Sequence, residues 1–159
     1  VTPLKTIVGQ SYTMNINVTV VNQGSFAENF DVTVYTNASS IGSQSVTLSN
    51  GTSVILTFTW ATTNFAKGNY TISAYATPVS GETDIIDNTY TGGIVTIAMV
   101  GDVIPDSIVD IFDLVYVAIS FGAKRGQSAY NPNADVNGNG IIDIFDLVTV
   151  ATHYGERNS

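Results

Sequence analysis

The side chains best suited to chemistry crowd the C-terminal end. Asp135, Asn137, Asn139, Asp143 and Asp146 place oxygens at short, regular intervals in the run ADVNGNGIIDIFDLV. Thirty-three residues upstream, Asp102, Asp106, Asp110 and Asp113 hold the matching places, and the block DIFDLV stands unchanged in both copies. Calcium takes about six to eight oxygens, and a twelve-residue loop supplies them from positions 1, 3, 5, 7, 9 and 12, with Gly at position 6 for the sharp turn. In the later copy those positions are Asp135, Asn137, Asn139, the Ile141 carbonyl, Asp143 and Asp146, with Gly140 at position 6. Ile142, at position 8, is free to pack inward. In the earlier copy they are Asp102, Asp106, the Ile108 carbonyl, Asp110 and Asp113; Ile104 supplies nothing at position 3 and Ser107 replaces the Gly. Two calcium ions are expected, the second loop being the better equipped. Asp and Asn also make plain turns, but two copies in register, each closed by Asp at position 12, favour the metal.

The surroundings of the loops narrow the reading. GGIVTIAMVGD approaches the first loop as a strand-like run, and QSAYNPNA approaches the second with a Pro that opposes a helix. Helical patterns follow the loops only, over residues 111–121 and 144–154. Tyr116/Thr149, Ile119/Thr152 and Ser120/His153 differ between the copies, which a symmetric mutual core would disfavour, so these positions are expected to face outward or towards the sandwich.

The first hundred residues must carry this pair. They alternate apolar and polar, as half-buried strands do. Met14, Ile16 and Val18 share a face, as do Phe30, Val32 and Val34; Val54, Leu56, Phe58 and Trp60; and Tyr70, Ile72, Ala74 and Ala76. NQGS, NASS, SNGTS, AKGN and SGETD punctuate the runs. About seven short strands in about a hundred residues predict an antiparallel sandwich with Trp60 in its core. Glu82, Asp84 and Asp87 read as a solvated turn rather than a cation site. Sequons at Asn17, Asn37, Asn50 and Asn69 fall in turns or on outward strand faces, which predicts glycosylation and an extracellular or cell-surface setting.

Two family resemblances follow from these stretches. VTVVNQGSFAENFDVTVYTN, IGSQSVTLSNGTSVILTFTW and KGNYTISAYA with ETDIIDNTY resemble CARDB, the cell-adhesion-related domain of bacteria and archaea, over about residues 3–98. That resemblance implies an immunoglobulin-like spacer or adhesion module of prokaryotic surface proteins. The loop–helix pair over about 100–155 resembles a dockerin, and YNPNADVNGNGIIDIFDLV resembles archaeal dockerins in particular. Dockerins bind calcium and dock onto a cohesin domain of another protein. The resemblance puts the recognition residues at loop positions 10 and 11 and farther along the helix: Ile111, Phe112, Ala118 and Ile119, then Ile144, Phe145, Ala151 and Thr152. A core role for Phe112 and Phe145 stays open beside it.

The expected architecture is mainly β with a small α part: an immunoglobulin-like antiparallel β-sandwich over 1–98 and a dockerin-like pair of calcium loop–helix motifs over 99–159. Bulk properties agree. The net charge of −8 argues against nucleic acid and anionic lipid as partners. Residues 99–159 carry eight acids against three bases, a net −5 that two calcium ions would reduce to −1. With no cysteine there is no disulfide or zinc–thiolate framework. VTPLKTIVGQ has no signal-peptide pattern, as expected of a mature product or excised piece. Nothing resembles a nucleophile–base set around His153, so no catalysis is expected. Two functions are foreseen: docking onto a cohesin-like partner, or self-assembly of neighbouring copies into a surface layer or filament through calcium-stabilised contacts between the dockerin-like part and the β-sandwich.

Overall fold

The structure, a computed structural model, describes residues 1–158. Eight strands come first: β1 (Thr2–Pro3), β2 (Ile7–Gly9), β3 (Thr13–Val21), β4 (Glu28–Thr36), β5 (Ser39–Leu48), β6 (Ser53–Ala61), β7 (Gly68–Ala76) and β8 (Thr89–Ala98). Two helices follow, α1 (Ile111–Ile119) and α2 (Ile144–Thr152). They stop two residues short of the expected 121 and 154. Ser120 and His153 cap them, their amides bonded to Val117 and Val150.

The strands form a sandwich-like, immunoglobulin-like arrangement of two sheets, ordered β1-β3-β6 and β2-β8-β7-β4-β5. Alternation in sequence becomes alternation in burial: Met14, Ile16 and Val18 point inward, as do Val32 and Val34, Phe58 and Trp60, and Ile72 and Ala74. Trp60 is 1% exposed and meets the Tyr70 ring edge-on at a centroid distance of 5.5 Å. β4 pairs antiparallel with β5 and β7. The expectation of a wholly antiparallel sandwich needs one correction. β2 runs parallel to β8, with Ile7 opposite Thr96 and Gly9 opposite Ala98. Parallel neighbours need a long connection, and the intervening chain supplies it.

The chain divides into two compact units. One comprises Val1–Leu4, Asn15–Trp60 and Tyr70–Ile94; the other comprises Lys5–Met14, Ala61–Asn69 and everything from Val95 onward. The second unit therefore holds β2, the end of β8, both loops and both helices. Its core includes Val103, Val109 and Val117 together with Val136, Ile142 and Val150, which are the same three positions in each repeat.

Hydrogen bonds make this repeat a crossed twofold. Gly122 N donates to the Ile142 carbonyl at 2.8 Å and Ile142 N to that of Ala123 at 2.9 Å. Their counterparts are Gly155 N to Val109 at 2.7 Å and Val109 N to Glu156 at 3.0 Å. Likewise Arg125 N reaches the Gly140 carbonyl and Asn158 N that of Ser107, both at 2.9 Å. Each loop is thus braced by the segment leaving the other repeat's helix. The sharp turn at loop position 6 is also preserved: φ is +89° at Gly140 and +74° at Ser107. A side chain pays for that left-handed geometry and glycine does not. Ser107→Gly should therefore raise stability by about 0.5–1 kcal/mol and Gly140→Ala lower it by about 1 kcal/mol, read from urea unfolding by circular dichroism in chelator.

Candidate metal centre

Each loop is organised by its first and last carboxylates. Asp135 Oδ1 accepts from Gly138 N at 2.9 Å, and Oδ2 from Gly140 N at 2.8 Å and the Tyr130 hydroxyl at 2.6 Å. Asp146 accepts from Asn137 N and Asp143 N, at 3.2 and 2.9 Å. The first loop repeats the scheme: Asp102 accepts from Asp106 N and Ser107 N, and Asp113 from Val103, Ile104 and Asp110. Between them the shorter side chains turn the backbone: Asn137 takes Asn139 N, Asn139 takes Ile141 N and Asp106 takes Ile108 N. Position 9 then caps the helix. Asp110 and Asp143 accept from Phe112 N and Phe145 N at 2.8 Å, and Asp113 and Asp146 close each capping box.

This network leaves oxygen capacity unused. An ionised carboxylate has about four lone-pair directions, and the bonds above use one to three on each. Asp102, Asp113, Asp135 and Asp146 are buried, Asp135 and Asp146 at 0% exposure. Among the described residues the one salt bridge is His153–Glu156, so none of these four carboxylates has a cationic partner within 4 Å. Buried carboxylates without a partner are costly unless paired or coordinated to metal. The donor set is all oxygen, which suits a hard cation. Among the described residues no three Asp, Glu, His or Cys side chains form a metal-holding group by themselves. Amide and backbone oxygens, Asn137, Asn139 and the Ile108 and Ile141 carbonyls, would have to complete each set.

Three further residues shape the second loop, and the sequence offered no signal for them. Tyr130 bonds Asp135 from outside the twelve-residue frame. Lys5 Nζ, buried, donates to the Asp135 carbonyl at 2.7 Å. Asn133 Oδ1 accepts from Thr6 N and Ile7 N at 2.9 and 3.1 Å, and its amide donates to Thr6 Oγ1. A cavity of about 10 Å³ adjoins Lys5, lined by Asp102, Asn133 and Val136 among others. Burial pushes the Lys5 amine below its ordinary value, opposed by the charges of Asp135 and Asp146. Burial, then the bond to Asp135, raises the Tyr130 hydroxyl.

The helix positions expected to meet a partner are all exposed. Phe112 is 63% exposed and Phe145 66%, so neither is core. Ile111, Ala118 and Ile119 stand exposed beside the first, and Ile144, Ala151 and Thr152 beside the second. Among the positions that differ between the copies, Ser120 is buried and its counterpart His153 half-buried. Among the sequons, Asn37, Asn50 and Asn69 are exposed, while Asn17 is half-buried and accepts from Thr57 Oγ1. Glu82 and Asp84 serve their own turn, accepting from Val79 N and Ile86 N, while Asp87 accepts from the distant Gln23 side chain.

The CARDB family profile matches residues 2–91. The chain belongs to the CARDB family. CARDB domains occur in prokaryotic surface proteins, and no helix among the described residues is long and apolar enough to cross a membrane. No curated protein matches the chain. Among solved structures, a CARDB domain of Pyrococcus furiosus, in complex with di-metal ions, is 26% identical at a TM-score of 0.50, covering 60% of this chain and 86% of its own. A domain from Methanosarcina acetivorans is 25% identical at 0.47, covering 60% and 84%. A type II cohesin–X–dockerin complex of Acetivibrio cellulolyticus aligns with 90% of this chain and 96% of its own, at 16% identity and 0.35. A score that low does not establish a common arrangement. The match to CARDB stops before the loops, so their chemistry rests on their own geometry.

Burial raises the Asp102 and Asp146 carboxyls above the ordinary 3.8, against the loop amides that pull them down. A carboxyl raised in the fold stabilises it when protonated. That contribution is complete below the unfolded value and disappears as pH rises through the folded one. In chelator, acidification from neutral pH towards the ordinary 3.8 should therefore stabilise wild type relative to the Asp102→Asn/Asp146→Asn variant, measured as urea midpoints at stepped pH.

Proposed function

We propose that this CARDB chain is a non-catalytic, extracellular docking module whose C-terminal loops each hold a calcium ion. One observation carries the reading: four buried carboxylates with no lysine, arginine or histidine nitrogen within 4 Å among the described residues, distributed over two oxygen-lined loops that repeat at an offset of 33 residues. Calcium at Asp135, Asn137, Asn139, Ile141, Asp143 and Asp146, and at Asp102, Asp106, Ile108, Asp110 and Asp113, would supply the missing positive charge. Their exit helices present the apolar residues Ile111, Phe112 and Ile119, and Ile144 and Phe145, to solvent. Such surface suits a protein partner, and the dockerin resemblance makes that partner a cohesin-like domain. The immunoglobulin-like strands serve as spacer, and the exposed Asn37, Asn50 and Asn69 fit glycosylation at a cell surface.

A site whose dissociation constant lies about 100-fold below ambient calcium would add about 2.7 kcal/mol. Calorimetric calcium titration of the whole chain should show two binding events. Asp135→Ala should remove the tighter and Asp102→Ala the weaker; equal losses would contradict that ranking. Capture on a cohesin domain should require calcium and fail in chelator. If capture fails while light scattering shows calcium-dependent growth in mass with concentration, the self-assembling surface subunit is the better description.

A further inference from the structure

The two loops repeat in sequence but differ in what holds them, and Lys5 is the centre of that difference. It lies 130 residues from Asp135, yet the residue is only 9% exposed and its amine donates to the Asp135 carbonyl at 2.7 Å. The next residues extend the attachment, because Thr6 and Ile7 give their amides to the Asn133 side chain, which returns a bond to Thr6 Oγ1. Tyr130 adds a hydroxyl to Asp135 itself. Shifted by 33 residues, Tyr130, Asn133 and Asp135 become Ile97, Val100 and Asp102. Two of the three polar groups are lost, and Asp102 accepts only from the amides of Asp106 and Ser107 within its own loop.

We propose that Lys5, with Asn133, is a positioning residue that holds the second loop in its ion-ready form before metal arrives, leaving the first loop as the one that calcium reshapes. A loop fixed in advance loses little freedom on binding its ion. The first loop makes the same carboxylate–amide bonds but lacks the clamp and one side-chain ligand. It therefore opens more readily until a cation fills it. This division of labour rests on the calcium reading for its second half only, since the clamp is made of protein atoms alone.

Amide hydrogen exchange on the full chain, in chelator and in calcium, tests it. In chelator, Gly138 and Gly140 should exchange more slowly than Asp106 and Ser107, by about tenfold or more. Lys5→Met, which keeps the apolar stem, should abolish that protection and leave Asp106, Ser107 and the Ile72 core amide unchanged; Asn133→Ala should act in the same direction. Calcium should then slow the first loop of wild type far more than the second. Unchanged exchange at Gly138 and Gly140 in both variants overturns the clamp, as does equal acceleration across both loops and Ile72. If wild type responds to calcium in neither loop, the metal reading fails while the comparison in chelator still decides the role of Lys5.

Discussion

Buried carboxylates organise the loops of the second unit. Asp102, Asp113, Asp135 and Asp146 each gather backbone amides, and Asp135 takes the Tyr130 hydroxyl as well. Those amides wrap each loop into its turn. Two of them, Asp113 and Asp146, also finish the capping boxes that start α1 and α2. Each loop and the helix that leaves it therefore share one carboxylate.

The twofold extends from side chains to backbone. Equivalent valines and isoleucines fill the core, and the segment after each helix completes the other repeat's loop. Neither copy contains all of its own hydrogen bonds, so half of the pair is not a smaller version of the whole. The departures from symmetry are correspondingly informative. Ser107 occupies a turn that Gly140 occupies without strain, and Ser120 is buried where His153 is only half-buried.

Much of this was legible in the residues. Period-two alternation marked the buried faces of β3, β4, β6 and β7 because one side of each strand is dry and the other wet. The apolar runs placed the helix starts at 111 and 144, and the structure adds that Asp110 and Asp143, read as loop ligands, cap them. Ile142 at loop position 8 is buried as its place in the loop required. What escaped depended on distance. β2 has three residues, too few for any period, and its parallel partner lies at the far end of the strand-rich segment. Lys5 gave no sign of its burial, because lysine is ordinarily a surface residue and its acceptor is remote in the chain. Asn17 looked outward by alternation, yet a cross-strand bond to Thr57 partly covers it. Whether Phe112 and Phe145 were core could not be read from an apolar pattern that serves burial and docking alike.

The parallel edge has a mechanical meaning. β2 and the end of β8 point the same way, joined through Thr96 N to Thr6 O and Gln10 N to Ala98 O. Tension applied between the chain ahead of β2 and the chain beyond β8 pulls these strands in opposite directions along their length. The bonds between them are then loaded together, in shear, instead of peeling apart one after another. A protein tethered at one end and gripped at the other would meet that force at its most resistant seam.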